Sequence, residues 1–203
     1  MRKKILGTDL KVSAIGLGCM GMNHAYGASA DKTEMINLIA QAVDIVCSVT
    51  AIQNRYSMMA RWHEKLFPVL EELNIGFVAF SPLANGFLSG KYNAQSVFEK
   101  NTDYRSIMPQ FQKDSYEKNQ EFLAWIQAFA EEKNATVAQI SLAWLVDKKP
   151  YLVPIPGTRK LERLKENAGA SDILLTPEEV KKTDDMLERI PMSEVFGGTK
   201  VTK

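Results

Sequence analysis

Four basic side chains cluster around the start of one short helix near the end of the sequence. The stretch VPIPGTRKLERLKENAGA, residues 153–170, has the pattern of a strand, a glycine turn and a helix. Its basic residues are Arg159, Lys160, Arg163 and Lys165. Gly157 allows a ligand to approach the backbone closely, and the amides of a helix N-terminus attract anions. The stretch therefore predicts a binding site for a phosphate group.

The spacing of two arginines supports this prediction. Arg159 and Arg163 are four residues apart, so a helix that includes both would carry them on one face, where they can bind a phosphate together. Thr158 is placed to cap that helix. The alternative is a solvated basic face that Glu162 and Glu166 balance. Spacing alone does not decide between the two.

Strands and helices alternate around this site, as in a parallel α/β fold. We predict near-continuous apolar strands near residues 12–18, 48–53, 76–81 and 151–155, each followed by a helix. These are about four βα units, whereas a (β/α)8 barrel has eight. The segment from about 84 to 115 has little periodicity and predicts an irregular insertion.

Capping signals and apolar spacing locate the helices. The first is predicted over Asp31–Asp44, with Asp31 as its cap, and Pro68 suits the first turn of another. The pairs Thr136/Gln139 and Thr176/Glu179 predict capping boxes. Apolar repeats add the remaining helices, including one with Leu161 and Leu164. The polar tail 193–203 is expected to be loose.

Composition is that of a soluble globular domain without a charged partner. The chain has 203 residues, of which 45% are hydrophobic and 24% charged, with a net charge of +1. This balance predicts no nucleic-acid or membrane partner. Its two cysteines, Cys19 and Cys47, have no metal-binding spacing, so we expect no metal and a reduced, cytoplasmic protein. We find neither a signal peptide nor a membrane span.

Five stretches resemble the aldo-keto reductases, a family of NADPH-dependent carbonyl reductases built on a (β/α)8 barrel. The phosphate stretch IPGTRKLERLKENAGA resembles their cofactor motif, and TPEEVKKTDDML resembles their final helix. GLGCMGMNHAYGASADKTEMI resembles the first strand and helix, VTAIQNRYSMM the sixth strand and IGFVAFSPLANGFLSGKY the seventh. The resemblance implies a partial TIM barrel in which residues 1–203 form one domain from units one and six to eight.

The resemblance also implies which residues bind NADP(H). Gly157, Thr158, Arg159 and Arg163 would contact the 2′-phosphate, and Glu166 and Asn167 the adenine. Gln53 would bind the nicotinamide amide, and Phe80 would stack on the ring. The pyrophosphate would lie against Ser81, Pro82, Leu83, Asn85 and Lys91, with Arg105 closing over it. Gly18, Cys19 and Met20 would pass under the nicotinamide.

The resemblance has a gap at an apparent deletion seam near residues 44–45. A strand is predicted from Ile45 or within a few residues of it, so helix one leads directly to the sixth unit. The missing units carry the family's catalytic Asp, Tyr, Lys and His, in which the Tyr is the general acid. Tyr26, His24 and His63 stand outside the matching positions, so we assign no catalytic residue.

The sequence thus leaves three functions open. The chain reduces a small carbonyl substrate if another chain supplies the tetrad, binds NADP(H) without catalysis as a half-barrel, or is a non-functional truncated product. Whether it is an enzyme is undecided at this stage. Four retained strands would have open edges at Val49–Gln53 and Ser13–Gly18 and an inward face without an opposite wall. Such edges predict self-association, as a homodimer or as an aggregate.

Overall fold

The computed structural model describes residues 3–6, 10–13, 31–45 and 49–196. Within it, the chain divides into two compact units, Met1–Thr50 and Ala51–Lys203. Most of the strand predicted over 12–18 lies outside the described residues. Gly18, Cys19, Met20 and Cys47 lie outside them as well.

The described residues of the first unit form a hairpin and one helix. Strands β1 (Lys3–Leu6) and β2 (Leu10–Ser13) pair in antiparallel fashion. Helix α1 spans Lys32–Ile45, one residue beyond the predicted bounds at its C-terminal end. The Glu34 amide donates to Oδ1 of Asp31 at 2.9 Å, which confirms the predicted cap.

A parallel sheet of three strands forms the centre of the second unit. Its strands are β3 (Ala51–Arg55), β4 (Gly76–Phe80) and β5 (Leu152–Pro154), in the order β3-β4-β5. The predictions for β4 and β5 are confirmed to within a residue, and β3 begins three residues later than predicted. The predicted α/β class is therefore confirmed, with three of the four expected strands in the described sheet.

The described part of the second unit also contains six α-helices. They are α2 (Phe67–Glu72), α3 (Lys113–Lys118), α4 (Gln120–Glu132), α5 (Val137–Lys148), α6 (Leu161–Gly169) and α7 (Pro177–Arg189). Both predicted capping boxes are present, Thr136 with Gln139 at α5 and Thr176 with Glu179 at α7. Local sequence therefore determines where these two helices begin.

The two faces of the sheet have different environments. Side chains alternate along each strand, and the register aligns Phe77 with Leu152 on one face and Val78 with Val153 on the other. Phe77, Ala79 and Leu152 are buried in the core with the side chains of α4 and α5. On the opposite face, Val153 is 56% exposed. We call this second face, which also carries Gln53, Arg55, Phe80 and Ile155, the open face.

The segment between β4 and α3 is irregular, as predicted, but it belongs to the core. It forms short 3-10 turns at Ala84–Ser89, Tyr104–Ser106 and Pro109–Phe111. The rings of Tyr92, Phe98 and Phe111 contact one another, with centroids 5.0–5.6 Å apart. This aromatic cluster stabilises a long connection that has no regular helix.

The described end of the chain is packed, so the predicted loose tail is wrong for residues 193–196. The Ser193 amide donates to Oδ1 of Asn119 at 3.0 Å, and the Asn119 amide group donates to Oγ of Ser193 at 2.8 Å. The Phe196 amide donates to Oε1 of the buried Gln110 at 3.0 Å. No described helix is both long and apolar enough to cross a bilayer.

Candidate functional site

A cleft of about 820 Å³ lies at the carboxyl ends of β4 and β5. In open α/β sheets, this edge is where ligands bind. The cleft gathers twelve of the predicted cofactor residues from three separate segments. They are Ser81, Pro82, Leu83, Asn85, Lys91, Arg105, Gly157, Thr158, Arg159, Arg163, Glu166 and Asn167.

The turn after β4 forms one wall in an unusual backbone conformation. Ser81, Ala84 and Asn85 have φ angles of 51°, 48° and 61°, a left-handed region that non-glycine residues rarely adopt. Side chains from elsewhere hold this turn. Arg55 Nη1 donates to Oδ1 of Asn85 at 3.0 Å, and Gln110 Nε2 donates to the carbonyl of Ala84 at 3.2 Å. Strain of this kind concentrates at functional sites.

The opposite wall is the segment between β5 and α6, and here one prediction is wrong. Thr158 does not cap α6, because the helix begins three residues later, at Leu161. Its hydroxyl instead accepts a hydrogen bond from the Lys160 amide at 3.1 Å. The cap position is Lys160, which makes no side-chain cap. The first amides of α6 therefore have no side-chain acceptor and can face an anion.

The two arginines reach the cleft by a different geometry from the one predicted. Arg159 precedes the helix, so it does not share a helical face with Arg163. Both side chains nevertheless line the cleft. The Arg163 guanidinium forms an ion pair with Glu166 through Nη1, while its Nε is buried without a hydrogen-bond partner among the described residues. A buried donor without an acceptor is costly, so an anion at this position would be stabilised.

Gly157 leaves room at the same point of the cleft. A Cβ atom built on it would meet no other atom within 4 Å. The fold itself therefore does not require glycine here. The open space lies beside Thr158 and Arg159, where a ligand can approach the backbone directly.

The Arg105 side chain lines the cleft and is fixed by hydrogen bonds and by contacts with aromatic rings. Its Nε donates to Oδ1 of Asp103 at 2.9 Å, and its Nη1 donates to the hydroxyl of Tyr92. The hydrogen bonds of Asp103 raise the pKa of Arg105, and Arg105 lowers the pKa of Asp103. Its guanidinium also lies 4.7 Å from the ring centroid of Phe98. The charge of Arg105 is balanced by Asp103, which also lines the cleft, so among the described residues Lys91 and Arg159 carry the cleft's unpaired positive charge.

Two of the predicted residues that the structure describes do not line the cleft. Gln53 and Phe80 lie on the open face, where β3 and β4 end. Gln53 is exposed, and Phe80 is half-buried. Gly18 and Met20 lie outside the described residues.

Sequence reasoning missed Arg55. It stands two residues after Gln53, so alternation places it on the same face, and the register sets it opposite Phe80. Its guanidinium carbon lies 4.9 Å from the centroid of the Phe80 ring. The alternation signal was present in the sequence, but only the strand register shows that the two side chains meet.

Groups that could perform covalent or metal chemistry are scarce in the described part of the chain. It contains no cluster of three His, Cys, Asp or Glu residues arranged to bind a metal. His63 does not line the cleft, and burial is the main cause that lowers its pKa. The described cleft can therefore bind and orient an anionic ligand, and its cationic side chains are its chief chemical resource.

Comparison with known proteins shows which family this chain resembles. A family model described as "Aldo/keto reductase family" matches residues 16–188. The aldo-keto reductase str7 of Strobilurus tenacellus is 39% identical over 132 residues, or 65% of this chain and 38% of that protein. A probable aldo-keto reductase 1 of Glycine max is 34% identical over 151 residues, or 74% of this chain and 42% of that protein. The matched part is therefore about two fifths of the length of these relatives.

Solved structures show the same fold. A glycerol dehydrogenase of Gluconobacter oxydans matches with a TM-score of 0.68 and 28% identity, over 85% of this chain and 51% of that one. An aldo-keto reductase of Klebsiella pneumoniae in complex with NADPH matches with a TM-score of 0.52 and 24% identity, over 78% of this chain and 46% of that one. The three-stranded parallel sheet is thus part of a (β/α)8 barrel.

Proposed function

The chain belongs to the aldo/keto reductase family, and we propose that its cleft binds NADP(H) through the nucleotide's phosphates and adenine. Arg159, Arg163, Gly157 and Thr158 hold the 2′-phosphate in this proposal. The observation that carries it is the buried Nε of Arg163, a donor without a partner beside a helix start that has no side-chain cap. A phosphate satisfies both.

The remaining cleft residues fit the rest of the nucleotide. Glu166 and Asn167 supply acceptors and donors for the adenine edge. The turn after β4 and the cations of Lys91 and Arg105 suit a pyrophosphate. Gln53 and Phe80 on the open face receive the nicotinamide. When bound, NADPH supplies a hydride for carbonyl reduction.

A binding experiment tests the 2′-phosphate assignment. NADPH and NADH differ there by one phosphate, so Arg163→Ala and Arg159→Ala should each weaken NADPH about 10–100-fold and NADH less than about threefold. Arg189→Ala, on the exposed end of α7, is the matched control and should change neither. Titration of nicotinamide fluorescence measures both constants. Equal losses for NADPH and NADH in Arg163→Ala would show that this arginine does not contact the 2′-phosphate.

We further propose that the chain alone binds the cofactor without reducing carbonyl substrates. Its sequence carries no counterpart of the family's catalytic Asp, Tyr, Lys and His. Loss of a general acid alone costs about 10²–10⁴-fold in rate. We also propose that residues 1–203 form one domain. In it, barrel unit one is joined directly to units six to eight near residues 44–45.

Turnover with a generic aldehyde tests the catalytic half of the proposal. The purified chain with NADPH should oxidise the cofactor at the uncatalysed rate. The second candidate function is a reductase whose tetrad comes from another chain. The exposure of Val153 on the open face favours it, because another chain could pack there. Activity of the purified chain that disappears in Arg163→Ala would contradict the proposal that the chain alone is non-catalytic.

A further inference from the structure

Arg55 is a half-buried cation at the carboxyl end of β3 that the proposed cofactor contacts do not use. It lies on the open face, opposite Phe80 in the sheet register. Its Nη1 donates to Oδ1 of Asn85 at 3.0 Å, so it contacts the turn that lines the cleft. The side chain is therefore held in place beside the cleft.

The charge of Arg55 has no counter-ion in the described part of the chain. No described carboxylate lies within 4 Å of its guanidinium. Asn85 offers it only a neutral amide oxygen. Burial lowers the pKa of the guanidinium from its ordinary value, but arginine stays protonated in proteins. Among the described residues, Arg55 thus places a positive charge without a counter-ion at this edge of the sheet.

Aromatic rings partly compensate this charge. The guanidinium carbon lies 4.9 Å from the Phe80 centroid and 5.8 Å from the Phe196 centroid. The negative faces of aromatic rings attract cations. A second cation that approached Phe80 would compete with Arg55 for the same ring and would be repelled by its charge.

From this geometry we propose that Arg55 selects the reduced cofactor over the oxidised one. The inference rests on the proposed NADP(H) site, with the nicotinamide beside Gln53 and Phe80. The nicotinamide ring of NADP⁺ is a cation and that of NADPH is neutral, whereas their phosphates and adenine are identical. Arg55 therefore repels only the oxidised ring, and its effect appears in the ratio of the two affinities.

Coulomb's law gives the size of the effect. Two unit charges about 6 Å apart, at an effective dielectric constant of about 40, between those of a protein surface and of bulk water, change a binding constant roughly tenfold. In the proposed site, Asn85 lies against the pyrophosphate, which both forms of the cofactor share, so its own contacts do not enter this ratio. Loss of the bond between Arg55 and Asn85 weakens both forms alike.

Separate titrations of the full chain with NADP⁺ and with NADPH by calorimetry test the proposal. The wild-type chain should bind NADPH about tenfold more tightly than NADP⁺. Arg55→Met, which keeps apolar packing but removes the charge, should reduce this ratio to about twofold or less. Arg55→Gln provides a second neutral variant, and Arg55→Lys, which keeps the charge, should retain most of the ratio.

Two matched controls separate charge from structure. Arg61→Met removes a half-buried arginine that lies 4.0 Å from Glu64 and does not line the cleft, so the ratio should stay at its wild-type value. Asn85→Gly keeps the positive φ at no steric cost but removes the partner of Arg55, so both affinities should fall by the same factor.

The outcomes distinguish this inference from the proposed function. If the wild-type chain binds both forms and the neutral Arg55 variants keep its ratio, the selection by Arg55 is wrong and the NADP(H) site stands. Equal losses for both forms in Arg55→Met give Arg55 a structural role only and also overturn the inference. If the wild-type chain binds neither form, the proposed function fails and the inference fails with it.

Discussion

Tyr56 places a titratable hydroxyl inside the core of the second unit. Its ring is 0% exposed and stacks on Trp144 with centroids 5.6 Å apart. Its hydroxyl donates to Oε1 of Glu64 at 2.5 Å. Burial, and then the carboxylate of Glu64, raise the pKa of Tyr56 far above its ordinary value. The folded protein therefore keeps a proton that the unfolded chain releases near pH 10.

Removal of this hydroxyl should change both the stability and its dependence on pH. Because the folded pKa is raised, the contribution of Tyr56 is complete below about pH 10 and falls as the pH rises further. Tyr56→Phe should lower the free energy of unfolding at pH 7 by about 1.5–3 kcal/mol, since the hydroxyl donates to a charged group. Above pH 10, the free energy of unfolding of Tyr56→Phe should fall less steeply with pH than that of the wild-type chain. The two slopes should differ by up to about 1.4 kcal/mol per pH unit.

Urea unfolding at pH 7 and between about pH 9.5 and 11.5 measures both effects. Tyr104→Phe is the matched control, because Tyr104 is 71% exposed and should leave the stability unchanged. Tyr151 adds to the alkaline loss in both variants, because burial and its hydrogen bond to Glu71 raise its pKa to about 12. If the free energy of unfolding of Tyr56→Phe fell with pH as steeply as that of the wild-type chain, the alkaline loss of stability would not come from Tyr56.

At the scale of elements, α5 depends on its capping box. The Thr136 hydroxyl accepts from the Gln139 amide at 3.2 Å, and the Gln139 side chain accepts from the Thr136 amide at 3.1 Å. Thr136→Ala should lower the free energy of unfolding by about 1 kcal/mol. Thr136→Ser keeps a hydroxyl and should cost only a few tenths of a kcal/mol. Chemical denaturation compares the two, and equal losses would show that the hydroxyl bond is unimportant.

Helix starts were predictable where the signal is local, and less so where it is not. The capping boxes of α5 and α7 depend on residues three apart, and both are confirmed. Thr158 failed as a cap because α6 begins only at Leu161, after Lys160 in an extended conformation. Leu161 and Leu164 lie on that helix as predicted, yet both are exposed. Periodicity identifies an apolar stripe, but only the rest of the fold decides whether it is covered.

In the candidate site, too, the residues within local motifs were predictable, whereas contacts between distant residues were not. The cleft brings together residues around 81–91 and 157–167, which the family motifs identified in advance. The ion pair of Arg163 with Glu166 matches the charge balance that the sequence left open as an alternative, whereas the motifs did not reveal that Arg55 meets Phe80. These contacts depend on helix position and strand register, which a linear sequence specifies only through the whole fold.

For the whole molecule, the open face is the outstanding feature. The buried face of the sheet packs against α4 and α5, whereas Val153 and Ile155 on the other face are exposed. In a complete barrel the inner face is filled by layers of side chains from all strands. The described sheet has three strands, fewer than the eight of a complete barrel, and the side chain of Val153 on its open face is 56% exposed. An exposed apolar surface at sheet edges favours association with another chain.

We therefore propose that the chain self-associates through this face, and the prediction is a species larger than the 22.7 kDa monomer. Light scattering over a range of concentrations measures it. Val153→Lys places a charge on the open face and should shift the chain toward monomer. Val97→Lys is the matched control, because Val97 is 92% exposed on the irregular segment and should leave the distribution unchanged. A wild-type chain that stays monomeric at all concentrations would contradict the proposal, as would equal shifts in both variants.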